Sequence, residues 1–303
     1  MTTTASPVAG SGYTLPSLPT LFHKLISPFP LVTYPPASVP HKRPVTAPTL
    51  WIIPPLSTTP DTKPDFLSAD VECLKWQAHL ALRGVHAQVR WDVDPSGALG
   101  GRLPCLAVPS TLAKDGDGEL LAAHNIPGWT IENAKGELGE FEGYTDASAR
   151  DESRAWIALL EGDVHAALTL AQPSPSFLLH TLLQVPFAHE PQGAEKVLSP
   201  PPAPLSGLLS VVQPFGRRVP VGAVHARYHE AVAALSERLG TDRWFLGSAE
   251  PTALDALAFA YLHTLLNSTD ELRIEVARRV NLVTWERRVY EQVRSSFESA
   301  GST

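Results

Sequence analysis

The chain has 303 residues, 44% of them hydrophobic and 18% charged, with a formal net charge of −7. That is enough apolar material for a packed core and too little charge for a disordered chain, and the length suits two modest domains, since single cores stop growing near about 250–300 residues. Residues 1–60 hold three bases (Lys24, Lys42 and Arg43) and no acid, which leaves −10 for the remainder; an acidic body argues against nucleic acid as a partner, because phosphate binding needs a Lys/Arg surface.

Cys73 and Cys105 are the two cysteines. They build no disulfide framework and match no zinc-ligand spacing, as expected in a reducing compartment. No run of about 18 apolar residues marks a membrane-spanning helix. The N-terminus shows neither the basic-then-apolar pattern of a signal peptide nor the Arg-rich amphipathic pattern of a transit peptide. The expectation is a protein kept on the cytosolic side.

The 29 prolines cluster in the first 64 residues and again from Pro186 to Pro220, which reads as an arm and a loop. The arm, residues 1–48, carries an apolar island from Leu21 to Val32 that prolines at 28, 30, 35 and 36 keep from forming a long helix. Phe22, Leu25, Phe29 and Leu31 are the anchors it would offer a partner, with Lys42 and Arg43 suited to an acidic surface.

Leu50–Ile53 reads as a short strand. Ser68 is the expected N-cap of a helix that carries Val71, Leu74, Trp76, Ala78, Leu80 and Leu82 and stops at Gly84. From His86 to Val93, apolar and polar residues alternate, the period of a half-buried strand. Strand, helix, strand implies a parallel pair with a right-handed crossover. Leu103–Val108 and Glu119–Ala122, joined through Asp115-Gly116-Asp117-Gly118, read as a hairpin. A short helix after Pro127 is expected to turn Trp129 and Ile131 inward. Residues 49–143 are therefore a βαββα domain.

Residues 144–303 change to helical texture. Ala155, Trp156, Leu159, Leu160, Val164, Ala167 and Leu168 repeat at helical spacing, and Phe177–Val185 is a further helical candidate. The Pro-rich insertion at about 186–220 is long for a compact domain. Helices are expected again at Val221–Leu239, Leu254–Leu266, Leu272–Val280 and Val283–Phe297.

The most informative stretch runs from Trp244 to Leu262. Thr252 and Asp255 have the spacing of a capping box, which satisfies backbone N–H groups otherwise orphaned at a helix start. Leu254, Leu257, Ala258, Tyr261, Leu262 and Leu265 then fall on one face, as in a core helix.

Phe-Leu-Gly before Pro-Thr-x-x-Asp, with Ala-Phe-Ala-Tyr-Leu after it, resembles the buried helix of the glutathione-transferase C-terminal domain and looks most like metaxins. Pro104, in Leu-Pro-Cys-Leu, matches the proline that is usually cis before the third strand of thioredoxin-like folds. The resemblance extends over about residues 50–298 and implies a glutathione-transferase-like fold: an α/β thioredoxin-like domain followed by an all-α domain. It further implies a peripheral subunit on the cytosolic face of the mitochondrial outer membrane, within the sorting and assembly machinery. Its partners there would be a membrane-embedded β-barrel assembly protein, a second metaxin-like subunit and β-barrel precursor proteins.

Catalysis would leave a different signature. A glutathione transferase needs a Tyr, Ser or Cys near the end of strand one to stabilise the thiolate; Ser57 stands there, in a Pro/Ser/Thr loop. The acidic-Ser pair expected after strand four is replaced by Ala122-Ala123-His124-Asn125. His225 and His229 share a helix face, but a metal needs further ligands and Glu230 is not on that face. No phosphate loop or hydrolase motif is present. The reading is a non-catalytic protein with no cofactor and no metal. The alternatives are a soluble glutathione transferase, or a cytosolic interaction module of the same fold.

Overall fold

The computed structural model describes residues 45–55, 66–109, 118–134, 141–171 and 220–298. The anchors Phe22, Leu25, Phe29, Leu31, Lys42 and Arg43 lie outside the described residues, as do Ser57, the turn residues Asp115–Asp117, the candidate helix Phe177–Val185 and nearly all of the Pro-rich insertion.

Strands β1 (Thr49–Trp51), β2 (Gln88–Arg90), β3 (Cys105–Pro109) and β4 (Gly118–Ala122) form one mixed sheet in the order β2-β1-β3-β4. β1 and β2 are parallel, connected through helix α1 (Val71–Leu82), whereas β3 runs antiparallel to both β1 and β4. Helix α2 (Ile126–Asn133) follows, completing a thioredoxin-like βαββα unit. The Leu103–Pro104 bond entering β3 is cis. Leu50 pairs with Leu106 in register, and the two-residue period sends Leu50, Ile52, Leu106 and Val108 into one core with Cys73, Trp76 and Leu80 of α1.

Helix α1 starts two residues later than the sequence suggests. Its N-cap is Asp70, whose carboxylate accepts the Cys73 N–H at 3.0 Å. The Ser68 hydroxyl is engaged elsewhere: it donates to the Ile53 carbonyl at 2.8 Å and accepts the Asp70 N–H at 3.2 Å, stitching the end of the first strand to the helix start. Gly84, at φ 68°, takes the left-handed conformation that ends the helix.

Helix α2 also departs from expectation. Ile126 and Thr130, one turn apart, are its buried residues, while Trp129 is half-buried and Ile131 is 47% exposed. A step of about 100° per residue carries Ile131 off the face that Thr130 sets.

The second half is helical. Asp146 caps α3 (Ala147–Leu159) by accepting the Ala149 N–H at 2.8 Å. One π turn, Leu160–Val164, connects it to α4 (His165–Ala171) and keeps both Leu160 and Val164 fully buried. Then come α5 (Val221–Leu239), α6 (Ala253–Leu266), α7 (Asp270–Ala277) and α8 (Val280–Glu298). Every residue from Leu254 to Leu262 is buried, so α6 is the central helix, apolar all round rather than striped. Leu74, Ala78 and Ala81 of α1 share a core with α6; α1 is thus buried by the sheet on one side and by the helical half on the other.

Candidate functional site

Thiol chemistry on this fold belongs where β1 ends and α1 begins, because a helix N-terminus lowers a nearby thiol's pKa. Cys73 stands at the third residue of α1, with its sulfur 3.5 Å from the Ile53 N–H. The helix end is already answered by the Asp70 carboxylate. Cys73 is fully buried, and burial first, with the Asp70 charge second, pushes its thiol well above the ordinary range. Cys105, after the cis proline, is also buried, and burial raises its thiol too. Burial thus disfavours the thiolate form in both. Past β4, Ala123–Asn125 forms a single 3-10 turn with no side-chain cap.

At the other end of the molecule's core, the start of α6 is organised by Thr252 and Asp255. The two form a capping box, and the Asp255 carboxylate accepts the Thr252 N–H at 2.8 Å, the Thr252 hydroxyl at 2.7 Å and the Phe245 N–H at 2.8 Å. Burial raises the Asp255 carboxyl to about 6 in spite of these donors. Its work is structural: it fixes the turn Phe245–Gly247 to the helix behind it.

The histidines are held by carboxylates. His225 and His229 on α5 face Glu271 and Glu275 on α7, with Nδ1 to oxygen distances of 2.8 and 3.1 Å. Glu275 also pairs with Arg279 at 2.5 Å. The sequence puts the two histidines on one face but hides the matching glutamates, which lie more than forty residues on. Among the described residues, no group of three or more His, Cys, Asp or Glu side chains is arranged to hold a metal ion. His263 on α6 is 2.7 Å from Glu286 and stacks on both Phe259 and Tyr290.

That last pair edges a groove of about 750 Å³ between the loop at Leu67–Ala69, the end of α6 and one face of α8. Its His263 and Glu286 are already paired, so the groove offers a surface of charged side chains rather than a poised acid or base. A smaller cavity lies beside α1. His79 lines it. The sequence signal for it was a histidine placed between two bases, Lys75 and Arg83, at four-residue spacing.

Residues 228–289 match the family model "Glutathione S-transferase, C-terminal domain". Over 59 residues the chain is 44% identical to metaxin-2 of Mus musculus and equally to metaxin-2 of Homo sapiens, 18% of this chain and 22% of each relative. The match thus spans about a fifth of the length of those relatives. A glutathione transferase family member from Pseudomonas fluorescens, solved with two glutathione bound, aligns at a TM-score of 0.45 and 9% identity, covering 82% of this chain and 92% of that one. With its thioredoxin-like sheet and an α6 capped by Thr252 and Asp255, the chain has a glutathione-transferase-like architecture and is similar, over these short stretches, to metaxin-2 and to the glutathione S-transferase C-terminal domain.

Proposed function

We propose that this chain is a non-catalytic subunit of the mitochondrial outer-membrane sorting and assembly complex. It sits peripherally on the cytosolic face, docks on a membrane-embedded β-barrel subunit beside a second metaxin-like subunit, and helps recognise and insert β-barrel precursors. The observation that carries this reading is the 44% identity to metaxin-2. Two features support it. Asp70 caps the start of α1 and Cys73 behind it is buried, and no helix among the described residues is long and apolar enough to cross a membrane. In this reading residues 1–48 are a docking arm presenting Phe22, Leu25, Phe29, Leu31, Lys42 and Arg43, residues 49–143 the thioredoxin-like domain, and residues 144–303 the helical domain with its insertion at about 186–220.

The test is affinity purification of the full tagged chain from detergent-solubilised mitochondria. Co-purification with an outer-membrane β-barrel protein, weakened when residues 1–48 are deleted, is the expected result; a chain that stays soluble and unassociated sinks the reading. The match of residues 228–289 to a glutathione S-transferase domain favours one rival, a soluble glutathione transferase. That rival requires retention on immobilised glutathione and turnover of an electrophile, both lost in Ser57→Ala.

A further inference from the structure

Helix α1 presents Lys75, His79 and Arg83 at four-residue intervals, so the three bases stand in one column on its surface. The column lines a cavity of about 90 Å³ where α1, α2 and the first turn of α6 meet, with Trp76, Pro127 and Ile131 among its apolar walls. Ile131 is exposed because it stands at the rim of this opening rather than in the core.

His79 is 8% exposed and meets Trp76 edge-on at 5.5 Å. Among the described residues no hydrogen bond reaches its ring, and Nε2 is buried with no partner. Native proteins pair nearly all such groups, and an unpaired one carries a cost that a bound partner recovers. Burial first, then the charges of Arg83 and Lys75, lower His79 to about 4, so the imidazole is neutral at pH 7 and keeps one N–H to donate.

The charges around it select the sign of the guest. Lys75 and Arg83 come from α1 and Glu142 from the loop before α3; α2 and α6 add no charged side chain to the lining. Lys75 is shared outward with Glu72 at 3.2 Å and Glu161 at 3.7 Å, and Arg83 donates to the Glu142 carbonyl at 2.8 Å. The lining itself thus holds two cations and one carboxylate, with Glu72 and Glu161 on the outer side of Lys75, and the two cations flanking His79 favour a guest that brings a single anionic charge.

We propose that this cavity is a binding site for a small monocarboxylate with a short apolar tail. Its carboxylate accepts the His79 N–H between Lys75 and Arg83, and its tail lies on Trp76, Pro127 and Ile131. The space is smaller than the roughly 150 Å³ that takes up benzene, so it suits a guest of acetate to propionate size. The assignment is independent of any role at a membrane.

The experiment is NMR of the full chain with labelled histidine, titrated with sodium acetate or sodium propionate against sodium chloride at equal ionic strength. A saturable shift of the His79 ring is expected with the carboxylates, accompanied by a rise of its apparent pKa from about 4; chloride leaves both unchanged. Ala253, exposed at the first position of α6, also lines the cavity, so Ala253→Leu fills the opening and abolishes the shift with the melting temperature preserved. Should that variant fold poorly, His79→Phe supplies the check: propionate raises the melting temperature of the unmodified chain and not of the variant. Absence of a saturable shift, as from a cavity that holds only water, overturns the proposal. So does an equal response to chloride, or a shift that persists in a folded Ala253→Leu chain.

Discussion

One carboxylate oxygen of Asp255 accepts the backbone N–H of Phe245 at 2.8 Å, ten residues upstream, while the other holds the N–H and hydroxyl of Thr252 at the start of α6. The turn needs this anchor. Phe245 is fully buried, so its N–H has no recourse to water, and Leu246 sits at φ 62°, a conformation non-glycine residues take at a cost. Asp255→Ala strips the acceptor from three donors at once, and the expected loss is about 3 kcal/mol in urea denaturation. Thr252→Ala, which removes only the cap hydroxyl, should cost about 1 kcal/mol. A loss for Asp255→Ala no larger than that for Thr252→Ala would mean the Phe245 bond contributes nothing.

His79 and Asp255 move stability with pH in opposite directions. Asp255 is raised from 3.8 to about 6, so between those values the folded chain keeps a proton that the unfolded chain has lost, and this contribution falls as pH rises. His79 is lowered from 6.5 to about 4, so between those values the unfolded chain holds the extra proton, and this contribution rises with pH. The two nearly offset each other from about pH 4 to 6. Removing one exposes the other: relative to the unmodified chain, His79→Phe should lose stability as pH rises from 4 to 6.5, and Asp255→Asn should gain over pH 4 to 6. Urea midpoints at a series of pH values read both differences, and a flat difference for His79→Phe would show that the imidazole titrates normally in the fold.

Much of the fold could be read from the sequence, because α1 and α6 are apolar stretches bounded by a local stop or cap, Gly84 for α1 and Thr252 with Asp255 for α6. What escaped depends on neighbours that periodicity does not encode. Ser68 and Asp70 are both good cap residues two positions apart, and only the reach to the Cys73 N–H decides between them. The stretch Ala155–Leu168 repeats as one helix, yet a π turn at Leu160–Val164 interrupts it to keep both of those side chains buried. The tie from Asp255 to Phe245 needs a left-handed Leu246, for which no residue-type signal exists. The cavity beside His79 requires α2 and α6 to converge on α1, a tertiary event; the sequence supplies only the column of bases.

Tyr228 on α5 donates its buried hydroxyl to the Leu272 carbonyl of α7 at 2.7 Å, beside the His229–Glu275 pair. Burial pushes the phenol well above its usual range, so it stays neutral. Tyr228→Phe keeps the ring packing and removes this bond, while the Leu272 carbonyl keeps its bond within α7, so it should cost about 0.5–1.5 kcal/mol in urea denaturation. No measurable change would place a water on that carbonyl.

Gly118 opens β4 opposite Pro109. A Cβ there would stand 2.8 Å from the Val108 carbonyl oxygen and 2.5 Å from Val45 Cγ2. The valine can shift, but the carbonyl belongs to the β3–β4 ladder and cannot without breaking it. Gly118→Ala should therefore destabilise by about 1–3 kcal/mol, whereas Gly128→Ala, with open space around its Cβ position on α2, should be neutral or stabilising by up to about 1 kcal/mol. Equal melting temperatures for the two variants would contradict this.

The thiols decide whether the closed helix end at Asp70 is as inert as its geometry implies. Only the thiolate reacts, and in Cys73 it is suppressed by burial first and by the Asp70 carboxylate second. Asp70→Asn removes the lesser cause and leaves the greater, so the thiol of a folded variant should stay unreactive, while the amide still caps the helix and only the charge at its N-terminus, about 0.3–1 kcal/mol, is lost. In the unmodified chain a disulfide reagent at about pH 8 should titrate neither Cys73 nor Cys105 in buffer and both in denaturant. Reaction of one thiol in buffer, at a rate that does not follow the unfolding equilibrium when urea is added, would return Cys73 to the list of candidate nucleophiles and with it the case for an enzyme.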